Sequence, residues 1–154
     1  MGKQAGLSRR SIAFLIDYAI LEALRWITLD PLFSGREISP GQILKAVSSG
    51  RLGELSEMLI WFFVILNLVF LLWGFYFVLF TWQLGQTPGK KLLGIIVVRE
   101  DGQPMNLKIS LVRFVWLNVS LMAFGLGFFW AAFDKKGQTW HDKMAKTQAV
   151  LQTS

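Results

Sequence analysis

The sequence predicts an all-α membrane protein, a small bundle of apolar helices, on three observations. Only 17% of its 154 residues are charged and 53% are hydrophobic, against about 25% charged in an ordinary soluble domain. No Asp, Glu, Lys, Arg or His occurs from Met58 to Gly89. The same holds from Phe114 to Phe133. Each stretch is long enough to cross a bilayer core, which needs roughly 20 apolar residues. A soluble chain would have to wrap both stretches in protein, which so short a chain cannot readily do.

The first hydrophobic segment runs from about Ser11 to Leu29, with Ser8 as its expected cap and Asp30-Pro31 as its stop. Asp17, Glu22 and Arg25 interrupt it, and no A-x-A-like site follows. It therefore reads as a retained helix rather than a cleaved leader. An ionised residue near the centre of such a helix costs about 2.5–3.5 kcal/mol to insert. Its charges should thus face protein or water. Arg10 and Asp17 share one helical face about two turns apart. Glu22 and Arg25, three residues apart, form a secondary pair that lowers the insertion cost. Asp17 has no such local partner.

A polar loop, Pro31 to Leu55, follows. Within it Ser39-Pro40 should open a short helix that Gly50 ends. A second membrane helix is expected from about Glu54 to Trp82, with acids in its first turn and Trp61, Trp73 and Trp82 as candidate interfacial anchors. Leu92 to Arg99 reads as a β-branched run and Asp101-Gly102 as a turn. The last hydrophobic region is Leu107–Phe133, broken early by Arg113 and late by Gly125-Leu126-Gly127. The expectation is two transmembrane helices plus this third region, either a hairpin or a full span.

Gly85-Gln86-Thr87 recurs as Gly137-Gln138-Thr139. Continued without gaps, the alignment sets Lys91 on Lys143, Leu92 on Met144 and Val98 on Val150. Each copy reads as a turn, a short amphipathic piece and a strand. The runs Ile95–Val98 and Gln148–Leu151 could then pair, if both lie on one membrane face. The distribution of Lys and Arg favours that arrangement. If Leu107–Phe133 turns back, the two sides carry twelve against three; if it crosses, eight against seven. The positive-inside rule prefers the first, with N-terminus, second loop and tail cytoplasmic.

Arg10…Asp17, Gly-Gln-Thr-Pro-Gly-Lys-Lys-Leu-Leu-Gly-Ile-Ile-Val-Val over 85–98, Asp101-Gly102, Arg113 and Gln-Thr-Trp-His-Asp-Lys-Met-Ala over 138–145 together resemble the RDD family of membrane proteins. That family is named for one arginine and two aspartates. The resemblance covers nearly the whole chain as a single membrane domain. It implies that Arg10 is the arginine and Asp17 the first aspartate. The second is best placed at Asp142, with Asp134 the other candidate. Where the family usually has Gly-Thr before the final strand, this chain has Lys146-Thr147. Transport of unidentified ligands has been suggested for the family, without a settled mechanism.

Gly85, Gln86, Thr87, Gly89, Lys90 and Lys91 are similar to a nucleotide phosphate loop only superficially. The glycine spacing is one residue short, and Lys91 stands where Ser or Thr belongs. A tight interfacial turn, or a turn that holds a lipid phosphate, fits them better. His141 is the only histidine and there is no cysteine, so no metal site and no cofactor are expected. No nucleophile–histidine–carboxylate set is apparent, and an enzyme is not expected. The net charge of +6 suits an anionic lipid surface. The aromatics lie within apolar segments rather than along a basic stripe, which excludes a nucleic-acid partner.

Two classes stay open. One is a small ion, proton or solute transporter subunit acting as a homo-oligomer or with a membrane-protein partner. In it Asp17 is the intramembrane carboxylate, and an Arg10–Asp142 pair gates it. The other is a non-transporting scaffold or lipid-binding assembly factor, with Arg10, Asp17 and Asp142 as structural ties. Either is expected to be multi-pass in a cell membrane, of the bacterial inner-membrane kind.

Overall fold

A computed structural model of the chain describes residues 3–33 and 39–152. The part of the polar loop over 34–38, with Arg36, lies outside the described residues. The order is α1 (Leu7–Thr28), α2 (Pro40–Ser48), α3 (Leu52–Leu84), α4 (Pro88–Leu92), β1 (Ile95–Arg99), α5 (Leu107–Met122), α6 (Leu126–Phe129), α7 (Trp140–Met144) and β2 (Thr147–Leu151). Short 3-10 turns follow α1 and α6, over Asp30–Phe33 and Trp130–Ala132. By contacts the chain divides into two compact units, Met1–Ile20 with Gly74–Ser154, and Leu21–Trp73.

In the unit formed by Leu21–Trp73, the end of α1 is tied by its own charges. Arg25 donates to Glu22 at 2.9 Å, as its spacing predicts, and also to Asp30 at 2.5 Å. The second contact anchors the turn in which α1 stops. Ser39 caps α2 through a reciprocal box with Gln42, and Gly50 follows in the left-handed region at φ 64°.

Among the described residues one helix, α3, is by itself long and apolar enough to cross a membrane. Only 17% of its most apolar window is buried within the chain, whereas the core helix of a soluble protein is covered by protein. Ile60, Phe63 and Leu71 stand among its exposed apolar side chains. A second such helix is not confirmed: α1, which carries Arg9, Arg10, Asp17, Glu22 and Arg25, does not reach the same length and apolarity. It also begins at Leu7, so Ser8 lies inside the helix rather than at its cap. The third hydrophobic region is broken at Ala123–Gly125. There α5 meets α6 and its 3-10 turn at a bend of 109°.

In the larger unit, β1 and β2 pair antiparallel, with Ile95 opposite Leu151 and Val97 opposite Ala149. The N-terminal residues join them: Ala5 donates to the Ala149 carbonyl at 3.0 Å, and Leu151 to the Lys3 carbonyl at 2.8 Å. The strands on either side of the α5–α6 bend are thus bonded to each other. The chain enters and leaves that bend through one layer.

The internal echo is a structural repeat. A shift of 52 residues carries α4 onto α7 and β1 onto β2. Gly85 and Gly137 both take positive φ, 66° and 55°, ahead of the threonine caps Thr87 and Thr139. Gly94 and Lys146, at 62° and 51°, both turn the chain into its strand. Val97 pairs with Ala149, its own equivalent, so the two copies meet about a local two-fold axis.

Lys146 holds a left-handed backbone conformation, which an L side chain adopts at a cost of about 1–2 kcal/mol. The Gly-Thr that the resemblance implies at this point would avoid that cost. Lys146→Gly should raise stability by about 0.5–1 kcal/mol, the released strain being partly offset by the flexibility of glycine in the unfolded chain. Thermal unfolding of the purified protein checks it, and a lower melting temperature would refute it.

Candidate functional site

The repeat places two short helices beside the first part of α1, and each needs its N-terminal amides satisfied. In α7 the cap is internal. Thr139 accepts from the Asp142 amide at 3.4 Å, and Asp142 accepts from the Thr139 amide at 3.3 Å. The equivalent position in α4 is Lys90, which cannot accept. There the carboxylate comes from α1: Asp17 accepts from the Gly89 amide at 2.8 Å and from Thr87 Oγ1 at 2.5 Å. Tyr76 of α3 adds a third donor at 2.8 Å. Asp17 therefore does for α4 from a distance what Asp142 does for α7 from within.

Asp142 also holds two arginines. Arg10 Nη1 donates to its Oδ2 at 2.9 Å, and Arg113 Nη1 to its Oδ1 at 2.6 Å. Arg10 continues to the carbonyls of Ala5 at 2.9 Å and Ala149 at 3.0 Å, locking the N-terminus against β2. Arg113 also donates to Thr147 Oγ1. All three charged groups are buried, Asp142 at 1% exposure. Burial works against the Asp142 charge, but Arg113 and Arg10 hold its carboxyl well below the usual carboxylate range.

The expected residues fall into distinct places. Arg10 and Asp142 meet directly. Asp17 does not touch them and belongs to the α4 cap. Asp134 sits apart, with Lys143 at 2.5 Å and the Gln138 amide at 2.9 Å. Glu22 and Arg25 belong to the other unit. In the 85–91 turn, Gly85 supplies the positive φ, while Thr87 and Gly89 turn their donors to Asp17. Gln86 is partly buried, and Lys91 is exposed. That turn is therefore organised around a carboxylate of its own chain.

Reading the sequence missed Arg113 as the second partner of Asp142. It also missed Tyr76 as a donor to Asp17. Arg113 had a signal: a lone arginine early in an apolar helix needs an anion. Tyr76 had none beyond being a polar point in α3.

A cavity of about 50 Å³ opens among these groups; Lys90, Ser110, His141, Phe14, Phe77 and Phe114 line it together with Arg10, Asp17, Arg113 and Asp142. His141 is neutral there, because burial, together with Arg113 and Lys90, lowers its pKa to about 3 against the pull of Asp142. Burial and the nearby Arg113 likewise bring Lys90 down to about 8.

An exposed apolar helix, a broken hydrophobic pair and a buried polar hub define a small membrane-protein module of mostly helical build. The chain belongs to the RDD family, whose model matches residues 4–146. No curated protein and no solved structure matches it.

Proposed function

We propose that this chain is a non-transporting membrane scaffold, a module that presents apolar helix faces to lipid and to partner helices while its charges hold it together. The engagement of Asp17 carries this reading. Its carboxylate is fully buried and accepts three hydrogen bonds, so a cation bound there would compete with the donors that cap α4. The twelve-to-three distribution of Lys and Arg supports a multi-pass chain whose N-terminus and paired strands face the cytoplasm. A second reading, ion or proton transport by an oligomer, is favoured by the charged cavity beside Arg10.

Asp17→Asn separates the two. Tyr76 and Gly89 both donate to Oδ1, which Asn keeps. At the other position the Thr87 hydroxyl can turn and accept from the new amide. As a scaffold residue, Asp17→Asn should stay within about 1 kcal/mol of the wild type, while Asp17→Leu should lose about 2–4 kcal/mol by stranding its donors. Proton and sodium flux should be measured in liposomes on the same preparations. Wild-type flux that Asp17→Asn abolishes at unchanged stability would overturn the scaffold reading and establish the transporter.

A further inference from the structure

The charges that line the cavity of the larger unit do not balance locally. Arg10 and Arg113 are both engaged by Asp142, and Asp17 is held by three neutral donors. The Lys90 ammonium, which lines the same cavity, makes no hydrogen bond or ion pair among the described residues. Two further polar atoms of that cavity are buried and without a partner, Ser110 Oγ and His141 Nδ1. Ser110 is 1% exposed and His141 8%. An orphaned buried polar group costs about 1–3 kcal/mol, and these two line the cavity with the part-buried Lys90 as a third polar group. They include a hydroxyl that donates, an ammonium with three donors and an imidazole that donates from Nδ1 in one tautomer. Three cations stand against two carboxylates, which leaves one positive charge over.

We propose that Lys90, Ser110 and His141 form a binding site for a single monovalent anionic group. The space, about 50 Å³, exceeds the roughly 10–15 Å³ that one water needs by the same measure. A cation is disfavoured, because Arg10, Arg113 and Lys90 surround the cavity and both carboxylates are already engaged. A multiply charged anion would overshoot the one excess charge. The lining residues Phe14, Phe77 and Phe114 add no competing acceptor, and the carboxylates of Asp17 and Asp142 are held by their own donors. The chemistry is met by a free halide or by the singly charged phosphodiester of a lipid headgroup. The site depends on neither of the two functional readings.

The test is thermal unfolding of purified protein in detergent, in sodium chloride against sodium gluconate at equal ionic strength. A parallel series adds phosphatidylglycerol or phosphatidylcholine in mixed micelles. Stabilisation that saturates with chloride identifies a free ion; stabilisation by phosphatidylglycerol alone identifies a headgroup. In either case Lys90→Met should weaken binding about tenfold or more, the loss of one charge-assisted hydrogen bond. Lys91→Met, at the exposed neighbour, should leave it unchanged. Chloride NMR line broadening and bromide diffraction on the wild type read the free-ion site without any substitution. No response to chloride or phosphatidylglycerol, or a response that survives Lys90→Met, overturns the proposal.

Discussion

Asp142→Ala is expected to destabilise the protein by about 3–5 kcal/mol, the range for stranding a buried charge. Here the removal strands two. Arg10 and Arg113 are both buried, and without the carboxylate between them they repel. Their remaining contacts, to the Ala5 and Ala149 carbonyls and to Thr147, are neutral and do not offset that repulsion. The melting temperature should fall by on the order of 10 °C. Asp134→Ala should cost much less, since Asp134 faces one lysine, Lys143, that is itself 40% exposed.

The pH dependence has a definite sign. The Asp142 carboxyl is held below its unfolded value, so its contribution is fully present above the unfolded pKa of about 3.9 and is lost as the pH falls through the folded one. The gap between wild type and Asp142→Ala should therefore be complete at neutral pH and narrow only in acid. A variant melting within about 1 kcal/mol of the wild type at pH 7 would show that the arginines are satisfied elsewhere.

Local signals in the sequence were sufficient for much of this arrangement. The repeated Gly-Gln-Thr turns predicted the strand pairing that the structure contains, because each turn needs a glycine at positive φ and a threonine at the cap. The capping of α2 by Ser39 was equally local. Long-range substitution was not legible. Lys90 occupies the position at which α7 has Asp142, and nothing near it in sequence shows that Asp17, more than seventy residues earlier, supplies the missing carboxylate. The charges of α1 were expected to face protein or water, and Arg10 and Asp17 do face protein; which partners each one holds, Asp142 for Arg10 and the α4 cap for Asp17, was not legible from their spacing.

Gly89→Ala should be comparably damaging. Gly89 lies where α4 crosses α1, and its amide donates to Asp17. A Cβ there would collide with the Ala13 carbonyl oxygen and lie 2.9 Å from both Cγ and Oδ1 of Asp17. The first obstacle is helix backbone, which gives way only if α1 moves as a whole. Such a movement would open the contact of Ala13, fully buried beside Ala5, Ile95 and Ala149, and lengthen the bonds to Asp17. Overpacking costs about 1–3 kcal/mol, and losing a hydrogen bond to a charged group about 1.5–3 more. The expected total is about 2.5–6 kcal/mol. Gly53→Ala supplies the contrast. Gly53 lies within α3, and a Cβ added there would meet nothing within 4 Å, so alanine should be neutral or stabilising by about 0.5–1 kcal/mol. Thermal melts of the two variants in one detergent decide the matter. If Gly89→Ala unfolds with Gly53→Ala, the close approach of α1 to α4 does not hold the hub; a loss confined to Gly89→Ala means that the α4 cap depends on that glycine having no side chain.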